Sequence, residues 1–119
     1  MTQDEVRAVL FGFPDVEEAF SQGSANFRVG AKSLARLGAR TGPDDLMLWD
    51  IGFDESEVLI AADPAVFHTT THFRDAKTIL VRIAAVQPET LRAMLERRWR
   101  KIAPKAAVRA WDAERGEAL

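Results

Sequence analysis

The chain has 119 residues, of which 47% are hydrophobic and 29% are charged, and its formal net charge is −2. This balance is typical of a globular protein and excludes a disordered chain, which buries too little apolar surface to offset the entropy of folding. The absence of cysteine excludes disulfides, thiolate metal sites and a cysteine nucleophile. We therefore expect one soluble domain, residues 1–119, with a single core.

The first predicted element is a helix from Gln3 to Phe11. Its apolar residues recur at the three- and four-residue spacing of one buried helical face, and Gly12 and Pro14 end it. The segment is acidic where a secretory signal would be basic, and no part of the chain approaches the ~18 apolar residues that cross a bilayer. We therefore expect a cytoplasmic protein that does not contact membranes.

Short strands dominate the next part of the sequence. Alternating polar and apolar residues predict strands at 17–21, 26–29 and 32–37, separated by turns that contain glycine. The segment 46–51 has little polar relief and predicts a buried, central strand. Short turns between consecutive strands favour antiparallel pairing.

A helix and two extended segments follow the central strand. Asp54 is expected to cap a helix that ends near Ala62, and Glu57, three residues later, would complete a capping box. The threonine-rich residues 68–73 and the aliphatic residues 78–83 are expected to be extended. This order predicts an α+β fold, in which an antiparallel β-sheet carries its helices on one face.

The C-terminal part is predicted to be helical and basic. A long helix is expected over 88–102, because proline suits a first helical turn, and a short helix over 105–115. Apolar side chains form one stripe along the long helix, and Arg98 falls inside this stripe. We expect the stem of Arg98 to pack on the sheet and its guanidinium to reach a carboxylate at the edge of the helix. Six other cations are candidates for contacts with nucleic-acid phosphates: Arg92, Arg97, Arg100, Lys101, Lys105 and Arg109.

Charge is divided unevenly along the chain. Residues 41–73 carry seven acidic groups and no lysine or arginine, whereas residues 74–109 carry ten basic groups and three acidic ones. Such a division can give the folded protein an acidic and a basic surface. Alternatively, the two segments can lie side by side and neutralise each other.

Little in the sequence indicates catalysis or a resident metal ion. No nucleophile elbow or phosphate-binding glycine loop is present, so we expect neither an enzyme nor a cofactor. His68 and His72 have the spacing of zinc ligands on one helical turn, but on a strand they would lie roughly 13 Å apart, too far to share an ion. The acidic stretch 44–63 could bind a hard cation, although helix capping and solvation explain its carboxylates more simply. We therefore expect no metal site.

Four segments, in this order, resemble the MmcQ/YjbR family. They are FRVGAKSLARL at 27–37, LIAADPAVF at 59–67, THFRDAKTILVRI at 71–83 and LRAMLERRWRKIAPK at 91–105. The resemblance runs from about Phe13 to Trp111. It implies a small α+β fold that has been likened to frataxin-type and double-wing DNA-binding folds. Family members are often labelled DNA-binding, a label that rests on analogy of fold.

The resemblance also singles out three positions by alignment with the family's motifs: Arg28, Lys32 and His72. Arg28 lies in the family's Phe-Arg-Val strand. Lys32 lies in its Gly-Lys turn, where Ala31 replaces the glycine. His72 begins its histidine–aromatic pair, where Phe73 replaces the more usual tyrosine. The second replacement removes a phenolic hydroxyl, so any role of that hydroxyl is lost here.

Three functions are compatible with these patterns. The first is a non-enzymatic domain that binds DNA weakly, and without sequence preference, through the basic surface 92–109. The second is a protein-interaction module whose acidic surface 44–63 and basic surface 92–109 meet an acidic partner or another copy of the chain. The third is cation binding by the acidic stretch. The isoelectric point of about 5.7 counts against a dedicated nucleic-acid binder. Neutralisation of the basic helix by the acidic stretch would exclude the first function.

Overall fold

The structure is a computed structural model that describes residues 1–21, 23–38, 42–70 and 77–117. Its elements, in chain order, are α1 (Gln3–Phe11), β1 (Val16–Ser21), β2 (Ser24–Val29), β3 (Lys32–Leu37), β4 (Asp45–Trp49), α2 (Phe53–Ala62), β5 (Phe67–His68), β6 (Thr78–Arg82), α3 (Pro88–Ile102) and α4 (Lys105–Glu117). The strands form one sheet with the order β1-β2-β3-β4-β6-β5, and every neighbouring pair is antiparallel. The expected α+β fold with an antiparallel sheet is therefore confirmed.

A bulge in β3 changes which side chains face the core. Phe27 of β2 lies opposite Ala35, but the next residue, Arg28, lies opposite Ser33, so β3 carries one extra residue, Leu34. Strict alternation would turn Leu34 away from the face that Ala35 occupies. Because a bulge bends the strand and re-aims its side chains, Leu34 is instead fully buried in the core.

The helices cover one face of the sheet. Six large residues of β2, β4, β6 and α3 are buried in a single cluster between the sheet and the helices: Phe27, Leu48, Ile79, Val81, Leu91 and Leu95. The other helices pack into that same cluster, α1 through Leu10, α2 through Leu59 and α4 through Trp111. None of the described helices is long and apolar enough to span a bilayer.

Three aromatic rings join the C-terminal helices to the turn after α1. The ring of Phe13 stacks on Trp99 and on Trp111, with centroid separations of 5.9 Å and 5.3 Å. The two indoles lie 5.2 Å apart. Trp99 Nε1 also donates to the carbonyl of Pro14 at 3.1 Å, so the indole satisfies its polar group while its rings fill the core.

One local prediction needs correction, and another is only partly tested. The N-cap of α2 is Gly52, which makes no side-chain hydrogen bond, and the helix begins at Phe53. The predicted capping box of Asp54 and Glu57 is therefore wrong. Asp54 lies inside the first helical turn, where the helix dipole still stabilises its negative charge. The extended segment predicted at 68–73 begins in β5, and its later part, including His72, falls outside the described residues.

A capping box does occur, but at α1, where it was not predicted. Thr2 Oγ1 accepts from the backbone N–H of Glu5 at 3.1 Å, and the backbone N–H of Thr2 donates to Glu5 Oε1 at 3.0 Å. These bonds lower the pKa of Glu5, first through the backbone of Thr2 and then through its hydroxyl. The first turn of α1 is fixed as a result.

Candidate functional site

Two of the cations predicted to contact DNA are paired with the acidic stretch 44–63. Arg97 Nη2 donates to Glu55 of α2, and Lys101 Nζ lies 2.6 Å from Asp50 Oδ2 in the turn after β4. The acidic stretch therefore lies beside α3 and neutralises part of its basic surface. This is the second of the two arrangements that the division of charge allowed.

A third cation, Arg100, joins α3 to α4. Its Nε lies 3.2 Å from Glu96 Oε2, and its Nη1 donates to Asp112 Oδ2 at 3.1 Å. The hydrogen bond from Arg100 lowers the pKa of Asp112, and the same pair raises the pKa of Arg100. Both groups are largely exposed, so the pair contributes modestly to stability and mainly orients the two helices.

The remaining predicted cations are exposed and form no ion pair with another described residue: Arg92, Lys105 and Arg109. They are spread along the surface. An α-helix rises about 1.5 Å per residue, so Arg92 lies about 15 Å from the end of α3, after which Lys105 begins α4. A role for these six residues in DNA contacts stays a prediction, and three of the six already pair with carboxylates of the described residues.

Arg98 lies within the apolar stripe as predicted, but its partner is different. Its Nε and Nη2 donate to the backbone carbonyl of Ser33, at 3.1 Å and 3.0 Å. The predicted hydrogen bond to a carboxylate is therefore wrong. Ser33 lies beyond the β3–β4 ladder, which starts at Ala35, and its carbonyl accepts the guanidinium at the place where the bulge distorts β3. The carbonyl of Ser33 therefore replaces the predicted carboxylate as the hydrogen-bond acceptor of the half-buried guanidinium.

The outer surface of α2 carries exposed apolar residues, a feature that the sequence analysis missed. Phe53 is 52% exposed and Val58 is 67% exposed, and Ala61 and Ala62 are exposed as well. The only fully buried residue of this helix is Ser56. The outward side of a surface helix is normally polar, so the exposed apolar residues in the second half of α2 are unusual. Residues 58–62 are all apolar, so the sequence does not indicate which side of this part of the helix faces water.

The other face of the sheet carries a histidine–aspartate pair. His68 Nε2 donates to Asp45 Oδ1 at 2.9 Å, above the buried side chains of Met47 and Leu80. Among the described residues, no group of three potential metal ligands surrounds this histidine or lies elsewhere. The pair links β5 to β4 across the intervening strand β6.

The positions singled out by the resemblance are only partly described. Arg28 of β2 and Lys32 at the start of β3 are both exposed. His72 lies outside the described residues. The two exposed cations lie at the β2–β3 end of the sheet, and their contribution to a site stays a prediction.

Comparisons with known proteins agree with this architecture. Uncharacterised proteins of Mycobacterium bovis and of Mycobacterium tuberculosis are each 29% identical to this chain over an alignment of 130 residues, gaps included. The alignment covers 97% of this chain and 98% of each relative. The crystal structure of Deinococcus radiodurans protein DR2400, with a DUF419 domain, has a similar fold, with a TM-score of 0.68, 23% identity and coverage of 88% of this chain and 80% of that chain. The YjbR family model matches residues 11–101, which is most of the sequence. The chain belongs to the YjbR family.

Proposed function

We propose that this protein is a non-enzymatic interaction module, and that the exposed face of α2 docks a basic, apolar segment of a partner protein. The observation that carries this proposal is the exposure of Phe53 and Val58 on a helix that packs on the core through Leu59 and Ile60. Adjacent exposed apolar side chains mark interaction sites on monomeric proteins more often than isolated ones do, and Val58 has the exposed Ala61 and Ala62 one helical turn away.

The geometry of α2 divides its exposed apolar residues between two positions. Successive residues are turned by about 100°, so Val58 and Ala61 fall on the arc that faces away from Leu59 and Ile60, whereas Phe53 lies within about 20° of Ile60, at the border of the packed side. Leu59 and Ile60 pack against the core. Burial of a phenylalanine or valine side chain stabilises a complex by about 1.5–3 kcal/mol, so two such anchors can support a weak, reversible interaction.

The charge around this face specifies the chemistry of the partner. Asp54, Glu57 and Asp63 are exposed and form no ion pair with another described residue. Two copies that met through α2 would bring these carboxylates together, which disfavours a symmetric dimer. A partner with lysine or arginine beside its apolar anchors is complementary in both respects.

A titration of isotope-labelled protein with two designed peptides tests this proposal. One peptide is an amphipathic helix of leucine and lysine, and the other has glutamate in place of lysine. We expect the lysine peptide to shift the amide resonances of residues 53–62, and the glutamate peptide to leave them unchanged. Val58→Lys should weaken the complex about tenfold or more, equivalent to ~1.4 kcal/mol.

The matched control is Phe20→Ser, because Phe20 is 74% exposed but lies on β1, at the edge of the sheet. This variant should bind the lysine peptide as the wild type does. Equal binding of both peptides, or resonance shifts that cluster outside α2, would contradict the proposal.

DNA binding through α3 and α4 is a second candidate, favoured by the exposed and unpaired state of Arg92, Lys105 and Arg109 within the described residues. If these three cations each neutralise one phosphate, log K should fall against log salt with a slope near −2.7, at about 0.9 per contact. Fluorescence anisotropy with a mixed-sequence duplex measures this slope. An absence of binding at low salt and ~100 μM protein would exclude DNA as a ligand, because non-specific binders reach this affinity even at physiological salt.

A further inference from the structure

A small cleft opens between the end of β4 and the C-terminal half of α3. Trp49 and Met94 contribute apolar lining, and Arg97, Arg98 and Lys101 contribute three cations. Asp50 is the single carboxylate among the residues described as lining it. The cleft is separate from the exposed face of α2, although Glu55 of that helix pairs with Arg97.

Asp50 lies among more cations than one carboxylate can neutralise. Its Oδ2 accepts from Lys101 Nζ at 2.6 Å. The pKa of Asp50 is lowered by this hydrogen bond and by the charge of Lys101, and further by the charges of Arg98 and Lys77. With Arg97, these make four cations, and among the described residues two carboxylates pair with them, those of Asp50 and Glu55. An excess of positive charge on this scale attracts anions.

The backbone of Asp50 and the backbone of Lys77 are both held in an uncommon conformation. Asp50 has a φ of 63° and Lys77 a φ of 54°, both in the left-handed region that non-glycine residues rarely adopt. The N–H of Ile51 donates to the carbonyl of Lys77 at 3.0 Å and joins the two turns. Strained residues of this kind concentrate at ligand sites. Here the two turns fix the positions of the Asp50 carboxylate and of the nearby Lys77.

We propose that this cleft binds a small anion, and that the side chain of Asp50 occupies the position that the ligand's charged group would take. The ligand would carry a carboxylate or phosphate group bound by Lys101 and Arg98, and the cleft has little room beyond that group. Arg98 is already oriented by its hydrogen bonds to Ser33. The side chain of Asp50 is 44% exposed, so it can rotate into solvent and release Lys101.

Titration with inorganic phosphate and with phenyl phosphate, followed by amide resonances, tests the proposal. We expect shifts at residues 49–51 and at Lys101, and no tighter binding of phenyl phosphate than of phosphate, because the cleft has little room for an aromatic ring. Asp50→Asn removes the competing charge and keeps a side chain that tolerates a left-handed backbone, so it should strengthen phosphate binding at least threefold. Lys101→Gln should weaken it by a similar factor.

The matched control is Asp112→Asn, which removes a carboxylate from the ion pair of Arg100 at the α3–α4 contact and should leave phosphate binding in the cleft unchanged. A duplex titrated in parallel identifies the source of the phosphate. If Asp50→Asn strengthens duplex binding as it strengthens phosphate binding, the cleft takes phosphates of nucleic acid, and otherwise it takes free anions. An unchanged or weaker affinity for phosphate in Asp50→Asn would overturn the proposal, whatever the peptides do at α2.

Discussion

The hydrogen bonds between Arg98 and the bulged strand β3 lead to a quantitative prediction. Arg98→Met keeps an unbranched, apolar side chain in the stripe of α3 but removes the two N–H groups that donate to the carbonyl of Ser33 at 3.1 Å and 3.0 Å. The carbonyl then loses its charged donors at the place where β3 departs from regular pairing with β2. We expect a loss of stability that reflects this interaction and not a loss of packing.

The size of the loss follows from the chemistry of the donors. A hydrogen bond with one charged partner contributes about 1.5–3 kcal/mol to folding. Both N–H groups of Arg98 share one acceptor, so they count as a single interaction, and the side chain is only half-buried, so water replaces part of it. We therefore expect the free energy of unfolding to fall by ~1–2 kcal/mol. At the entropy of unfolding typical of a chain of this length, the melting temperature falls by about 4–8 °C.

Urea denaturation followed by circular dichroism measures this change. Arg92→Met is the control, because Arg92 is exposed on the same helix and should alter the free energy of unfolding by less than ~0.5 kcal/mol. Arg98→Lys should fall between Arg98→Met and the wild type, since an ammonium group cannot donate through the same planar pair of N–H groups. If Arg98→Met is as stable as Arg92→Met, the bond to Ser33 contributes nothing and this reasoning is wrong.

Three further predictions follow from the packing and the charges. Leu95→Ala should lower the free energy of unfolding by ~2–5 kcal/mol, because Leu95 is fully buried, and a loss below ~1 kcal/mol in urea denaturation would contradict its position in the core. The pKa of Asp112 is lowered by its hydrogen bond from Arg100, so this pair stabilises the fold above the unfolded pKa of about 3.9 and is lost as the pH falls through the lower, folded value. Asp112→Asn should therefore reduce stability more at pH 7 than at pH 2, and thermal unfolding at the two pH values tests this sign. If DNA binds, replacement of Arg92 and Arg109 by glutamine should reduce the steepness of the salt dependence by about 1.8, whereas replacement of the ion-paired Arg100 should change it less.

Local sequence signals predicted most of the fold. The bounds of α1, β3 and α3 agree with the prediction, because glycine and proline punctuate these elements and the apolar spacing within them is regular. The bulge was not predictable, because it depends on the register in which β3 pairs with β2. The polar and apolar residues of β3 alternate as they would in a regular strand. Leu34 is the clearest case, because its alternation indicates an outward position and pairing across the sheet turns it inward.

The candidate site was less predictable, because its charges are paired over long distances in sequence. The pairs Arg97–Glu55 and Lys101–Asp50 join residues 42 and 51 positions apart, so no local pattern could assign these partners. The division of charge along the chain showed only that such pairing was one of two outcomes. The sequence also did not indicate how much of α2 would be exposed, because apolar residues occur on both the packed side and the outward side of this helix.

The attachment of α4 has a consequence for the dynamics of the protein. The helix spans Lys105–Glu117, but Trp111 is the one buried residue among its described side chains, with Ala107 and Val108 half-buried beside it. Such a helix forms a separate unit of local unfolding, which can detach at a lower free energy than the whole domain. Its amide hydrogens should then exchange with solvent well before those of the central strands. Each detachment would expose the rings of Phe13 and Trp99 to water for a short time.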